Sequence, residues 1–126
     1  MSEIISPYNP KIKTVNIKED FPPCDVAVFN LYKAIFENER MGFEVLKIVH
    51  GYGSHGKGGE IKKAVKDYLT EAQRKKEIQF FVCGENWSSK NEKVKYLESK
   101  YPELILDEDI KNINSGITVI LLNLKK

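Results

Sequence analysis

The segment Val45-Leu46-Lys47-Ile48-Val49-His50-Gly51-Tyr52-Gly53-Ser54-His55-Gly56-Lys57-Gly58-Gly59-Glu60-Ile61-Lys62-Lys63-Ala64-Val65-Lys66-Asp67-Tyr68-Leu69 joins three patterns end to end. Residues 44–49 are a nearly continuous apolar run of strand length. Ile61, Ala64, Val65, Tyr68, Leu69 and Ala72 then recur at helical spacing, which predicts an amphipathic helix. Between them lie five glycines in the ten residues 50–59. So many glycines cost chain entropy unless backbone must turn sharply or approach a ligand closely. At a strand-to-helix junction, unpaired N–H donors and the positive end of the helix dipole favour an anion. Lys57, Lys62 and Lys63 add positive charge there.

Working outward, residues 11–17 alternate on Ile12, Val15 and Ile17 and predict a short edge strand. Asp20-Phe21-Pro22-Pro23 offers a cap and then proline for a first helical turn. The helix that follows, over residues 25–41, places Val28, Leu31, Tyr32, Ile35 and Phe36 on one face and is closed by Gly42. On the other side, residues 78–83 predict a third strand ending at Gly84, and residues 91–101 a short helix on Val94, Leu97 and Tyr101 before Pro102. Residues 116–124 are apolar and β-branched, as in a buried last strand. The order is β-α-β-α-β-(α)-β. It predicts an α/β two-layer sandwich with a mixed four-stranded sheet, residues 11–126 forming one domain behind an arm at residues 1–10. The direction of the last strand is left open.

Composition narrows the class. A hydrophobic fraction of 41% over 126 residues suits one ordinary soluble domain. No apolar run reaches the roughly 18 residues that span a bilayer. The opening Met-Ser-Glu-Ile-Ile-Ser-Pro is unlike a secretory signal, and two cysteines are too few for a disulfide framework, so a cytoplasmic location is expected. Cys83 reads as a small buried hydrophobe, whereas Cys24 beside a helix entrance carries a weak cue for reactivity. The net charge of +2 is unevenly spread. Residues 45–76 hold eight basic side chains (Lys47, Lys57, Lys62, Lys63, Lys66, Arg74, Lys75, Lys76) against Glu60, Asp67 and Glu71, while residues 77–109 are acidic. The positive part centres on the glycine-rich segment, and the acidic half would serve a pure interaction module.

Gly51-Tyr52-Gly53-Ser54-His55-Gly56 satisfies G-x-G-x-x-G, so a small nucleotide or dinucleotide binder is one reading. Against it, the loop continues through Lys57-Gly58-Gly59 before the helix, and no Gly-Lys-Ser or Gly-Lys-Thr supports a Walker site. The residues from Leu46 to Val65 resemble the signature of the Smr (small MutS-related) domain: an apolar strand, His-Gly-x-Gly, further glycines and a basic helix opening. Gly84-Glu85-Asn86-Trp87 and Asn114-Ser115-Gly116-Ile117-Thr118-Val119 are similar to members of that family as well. The resemblance implies a β-α-β-α-β-β fold, a DNA or RNA partner, and in some members nicking or endonuclease activity. One departure concerns chemistry. Where the family often carries a Leu-Asp-Leu-His-Gly-like motif, this chain reads Val15-Asn16-Ile17-Lys18-Glu19, with Asn16 at the aspartate and Lys18 at the histidine.

The candidate phosphate-binding residues are therefore His50, Gly51, Tyr52, Gly53, Ser54, His55, Gly56, Lys57, Gly58, Gly59, Lys62 and Lys63. His50 is also the candidate general base, against the alternatives of orienting the loop or touching phosphate. His55 either contacts phosphate or is simply exposed. Tyr52 and Trp87 could stack on a base, although Trp87 could equally plug the edge of the core. His50 and His55 alone do not make a zinc site. A cleaving enzyme would call on Mg2+ or Mn2+, and Glu85 is the nearest carboxylate by position.

Overall fold

The computed structural model describes residues 11–20, 22–51 and 58–125. The arm expected at residues 1–10 lies outside them. The chain runs β1 (Ile12–Asn16), α1 (Cys24–Arg40), β2 (Val45–Val49), α2 (Gly58–Arg74), β3 (Ile78–Cys83), α3 (Glu92–Lys100), α4 (Glu108–Lys111) and β4 (Ile117–Leu122). Single 3-10 turns at Gly84–Asn86 and Pro102–Leu106 flank α3. The sheet order is β1-β2-β4-β3. β1 and β2 are parallel, and β4 is antiparallel to both β2 and β3. This is the mixed four-stranded α/β sheet read from the sequence, and it settles the direction of the last strand.

Alternation along the strands sorts the core onto two faces. Leu46, Ile48, Ile120 and Leu122 pack with Leu31, Ile35, Val65 and Leu69 of α1 and α2. Val45, Val119 and Leu121 point the other way, onto Val94, Leu97, Leu104 and Ile110. The sandwich of sheet against α1 and α2 thus carries a smaller cover of α3, α4 and their turns on its second face. All six residues of β4 are buried, as befits a strand enclosed on both faces and both edges. Asn91 caps α3 by accepting from the N–H groups of Lys93 and Val94. Asp107 caps α4, a short element that the sequence reading did not resolve.

Three details of the helices differ from expectation. Helix α1 starts at Cys24 with Pro23 at its cap and no side-chain cap bond, while Asp20 sits at φ 64°. Pro23 is itself extended, with ψ 159°, so the helix begins after the second ring rather than around the first. The buried face of α1 is Ala27, Leu31, Ala34, Ile35 and Asn38. Tyr32 and Phe36, expected inside, are half exposed and line up with Phe29 on the outer surface. Small alanines let the helix approach closely, and counting only large side chains turns the predicted face. Helix α2 begins at Gly58, so Gly58 and Gly59 form its first turn instead of extending the loop.

Two tight points hold the second face. Lys47 of β2 is buried, and its ammonium donates to Asp107 at 2.9 and 3.0 Å and to Asp109 at 2.6 Å. Burial alone would lower its pKa, but the two carboxylates more than offset that and keep it charged. Breaking this pairing would strand a charge inside the protein. Gly84 meets the loop before β4 so closely that a Cβ there would lie 1.9 Å from the carbonyl oxygen of Asn114. Gly84→Ala is expected to destabilise the protein by about 1–3 kcal/mol, because backbone must move to admit a methyl group. Urea denaturation checks this; a loss below about 0.5 kcal/mol would mean that the loop yields freely.

Candidate functional site

β1, β2 and β3 all end at one edge of the sheet, the edge where β4 starts. Ligands of open α/β sheets gather beyond such carboxyl ends. Four chain segments converge there: Asn16–Lys18, His50–Gly51, Gly84–Glu85 and Gly116–Thr118. The N–H of Ile17 donates to Val49 at 3.0 Å, extending the β1–β2 pairing. The carbonyl of Gly116 accepts from both His50 (2.9 Å) and Gly51 (3.0 Å). Gly51 has φ 78°, a left-handed conformation that glycine adopts without strain. The aliphatic stem of Lys18 lies against it, 3.0 Å from where a Cβ would be. The side chain of Asn16 is occupied locally, accepting from the Lys18 N–H at 2.8 Å.

His50 sits on the α1/α2 face of the sheet, one residue beyond the paired part of β2, and is 1% exposed. Its Nδ1 is 2.7 Å from the Gly51 carbonyl oxygen and its Nε2 is 2.8 Å from Thr118 Oγ1. A carbonyl can only accept, so the proton is on Nδ1. The Thr118 hydroxyl then donates to the lone pair on Nε2. Burial is the main cause holding His50 below its ordinary pKa of 6.5, with Lys62 acting in the same direction; the Gly51 carbonyl and Glu85 oppose them without reversing the result. Its imidazole is therefore neutral at pH 7, with both nitrogens engaged.

The opening of α2 lies beside this ring. Lys62 reaches across to Glu85, with 2.8 Å between ammonium and carboxylate. Burial would raise the Glu85 carboxyl, but hydrogen bonds from Lys62 and from backbone hold it below the usual range. Lys63 pairs with Asp67 along the exposed side of the helix, at 3.0 Å. So of the residues singled out from sequence, His50, Gly51, Lys62 and the glycine opening of α2 share one edge, and Lys63 stands on the adjoining helix surface. Tyr52, Gly53, Ser54, His55, Gly56 and Lys57 lie outside the described residues.

Trp87 is elsewhere. It is 7% exposed within the second-face core and donates its indole N–H to Glu98 at 3.0 Å. A ring packed in this way offers no free face to a base, so Trp87 is a core residue and the stacking alternative is set aside. Cys83 is buried, and burial raises its thiol pKa, in keeping with an unreactive hydrophobe. Cys24 packs against the α1/α2 core. Among the described residues, no three His, Cys, Asp or Glu side chains are grouped to hold a metal ion. The residues that sequence reasoning missed are Thr118 and Gly116. Both lie in the family-like segment Asn114–Val119, but their place beside His50 depends on β4 lying next to β2.

The neutral, buried His50 has a consequence for stability. Its pKa is lowered on folding, so stability is full above pH 6.5 and falls as the pH drops below that value towards the folded pKa. Thermal melting between pH 8 and pH 5 is expected to show this decline in wild type and to lack it in His50→Asn. Identical pH profiles for the two proteins would show that His50 charges without resistance.

Comparison with known proteins agrees with this architecture. The family model described as Smr domain matches residues 23–81. The chain is 34% identical over 98 residues to Endonuclease MutS2 of Aquifex aeolicus, a match covering 78% of this chain and 9% of that protein, so the chain spans about a tenth of its relative's length. The crystal structure of the Smr domain of Thermus thermophilus MutS2 superposes with a TM-score of 0.54 at 18% identity, covering 88% of this chain and 98% of that one. At that identity the superposition speaks for the fold alone. The sequence matches, through α1, β2, α2 and the start of β3, identify this chain as a member of the Smr domain family, and the fold agrees.

Proposed function

We propose that this chain binds nucleic acid, holding backbone phosphates at the sheet edge where His50–Gly51 lead into the glycine-rich segment and α2 begins. The observation that carries this reading is the left-handed Gly51 at the carboxyl end of β2, followed within seven residues by the glycine opening of a 17-residue helix. A helix start of that kind presents N–H donors that no intrahelical carbonyl satisfies. Lys62 and Lys63 supply charge beside it, and Lys18 borders Gly51 from β1. Phosphate binding by Gly53, Ser54, His55, Gly56 and Lys57, and stacking by Tyr52, belong to the same proposal. A matched relative whose name is Endonuclease MutS2 supports a polynucleotide over a free nucleotide.

Within this proposal His50 holds the loop entrance and takes no proton. Its lone pair is already used by Thr118, and the Glu85 carboxylate, which acts on the ring electrostatically, is already used by Lys62. The position of the family's acidic residue is Asn16, an amide that cannot bear the negative charge a general base or metal ligand supplies. Among the described residues, the donors present do not fit a Mg2+ or Mn2+ site. The name of the relative nonetheless makes an endonuclease the second reading, and the binding experiment should include it.

Fluorescence anisotropy with labelled single-stranded RNA, single-stranded DNA and duplex DNA, at several salt concentrations, tests the proposal. Binding should weaken steeply with salt, and the Lys62→Ala/Lys63→Ala double variant should reduce the slope of log K against log salt by about 2. Absence of binding to all three would overturn the reading; a thermal shift with nucleotides alone would point to a nucleotide site. Product bands on a denaturing gel, lost in Glu85→Gln, would favour the endonuclease. If the chain only binds, Glu85→Gln should instead tighten binding by about two- to fivefold, since a carboxylate competing for Lys62 is gone. Weaker binding by that variant would show that Glu85 assists the ligand.

A further inference from the structure

Thr118 is the one polar residue in Ile117-Thr118-Val119-Ile120-Leu121-Leu122, and it lies near the start of this interior strand with 2% of its surface exposed. In register it stands between Ile48 of β2 and Cys83 of β3. A buried hydroxyl is costly unless it is hydrogen-bonded, and valine would fill the same volume without that cost. The hydroxyl bonds His50 Nε2 at 2.8 Å and also meets the Cys83 thiol on the neighbouring strand. The opposite nitrogen of that ring donates to the Gly51 carbonyl at 2.7 Å, and Gly51 is the last described residue before the glycine-rich segment. One continuous set of hydrogen bonds therefore runs from the start of β4, through the imidazole, to the backbone at the loop entrance. The Gly116 carbonyl, also leading into β4, fixes the N–H groups of the same two residues.

We propose that Thr118 is a positioning residue for the phosphate-binding edge: its hydroxyl holds the His50 ring so that Nδ1–H fixes the Gly51 carbonyl, and with it the direction in which the chain leaves β2. The proposal rests on the phosphate-binding reading for its functional half only. Without the hydroxyl, the Nε2 lone pair loses the donor that holds it. The ring then gains by turning away, and the Gly51 carbonyl loses its donor. Serine keeps the hydrogen bond and valine keeps the shape, so the two variants separate chemistry from packing.

The test combines a spectroscopic arm with a binding arm on wild type, Thr118→Ser and Thr118→Val. Long-range proton–nitrogen NMR of the histidine rings should find His50 neutral, with its proton on Nδ1 and exchanging slowly, in wild type and Thr118→Ser. In Thr118→Val that proton should exchange at least about tenfold faster, and the Gly51 amide resonance should move. Affinity for single-stranded RNA or DNA should fall about tenfold in Thr118→Val and be restored in Thr118→Ser. An unchanged ring proton and Gly51 amide in the folded valine variant would overturn the proposal. A disturbed ring with undiminished binding would overturn its link to the site. If wild type binds no oligonucleotide while the ring behaves as described, the nucleic-acid reading fails and the placement of His50 by Thr118 stands.

Discussion

The arrangement depends on the insertion of β4 between β2 and β3. The last strand of the chain returns to the middle of the sheet, antiparallel to both neighbours, and all six of its residues are buried. From there Ile120 and Leu122 reach the α1/α2 core, while Val119 and Leu121 reach the core under α3. Removing this strand would open two rows of backbone donors and acceptors and divide both cores. The insertion also brings Gly116 and Thr118 beside His50 and Gly51, which are far from them in sequence. The site is a consequence of this placement.

At the edge so formed, polar groups are used up in pairs. Thr118 takes the lone pair of His50, Gly51 takes its proton, Lys62 and Glu85 neutralise one another, and the side chain of Asn16 bonds the chain two residues on. The centre of the edge is therefore stiff and close to neutral. What it leaves for an anion is backbone at the start of α2 and lysine charge whose carboxylate partners a phosphate can displace. Such an edge suits positioning of a polyanion better than proton transfer.

Much of this was legible in the sequence, for identifiable reasons. β2, α2, β3 and α3 each carry a strong period or a cap, and Gly42 marks the end of α1 with φ 89°. The buried face of α1 was legible only in part: Leu31 and Ile35 lie inside as expected, but Ala27 and Ala34 share that face while Phe29, Tyr32 and Phe36 stay outside. Turn-sized elements such as α4 are too short to show a period. His50, Gly51, Lys62 and Lys63 could be singled out because they belong to one contiguous segment. Thr118 could not, since a lone threonine in an apolar strand looks like an ordinary β-former until the strand order is known. Trp87 was ambiguous for the opposite reason: an indole after a strand end serves a core or a ligand equally well, and only its contact with Glu98 and its burial decide.

In the proposed function, ligand meets this protein at the sheet edge between β2 and α2. The most direct measurement is a map of backbone amide shifts during titration with a short single-stranded oligonucleotide. Perturbations are expected to concentrate on Gly51, the first turns of α2, Glu85 and Gly116. Perturbations confined to the Phe29, Tyr32 and Phe36 surface of α1, with that edge unmoved, would contradict it.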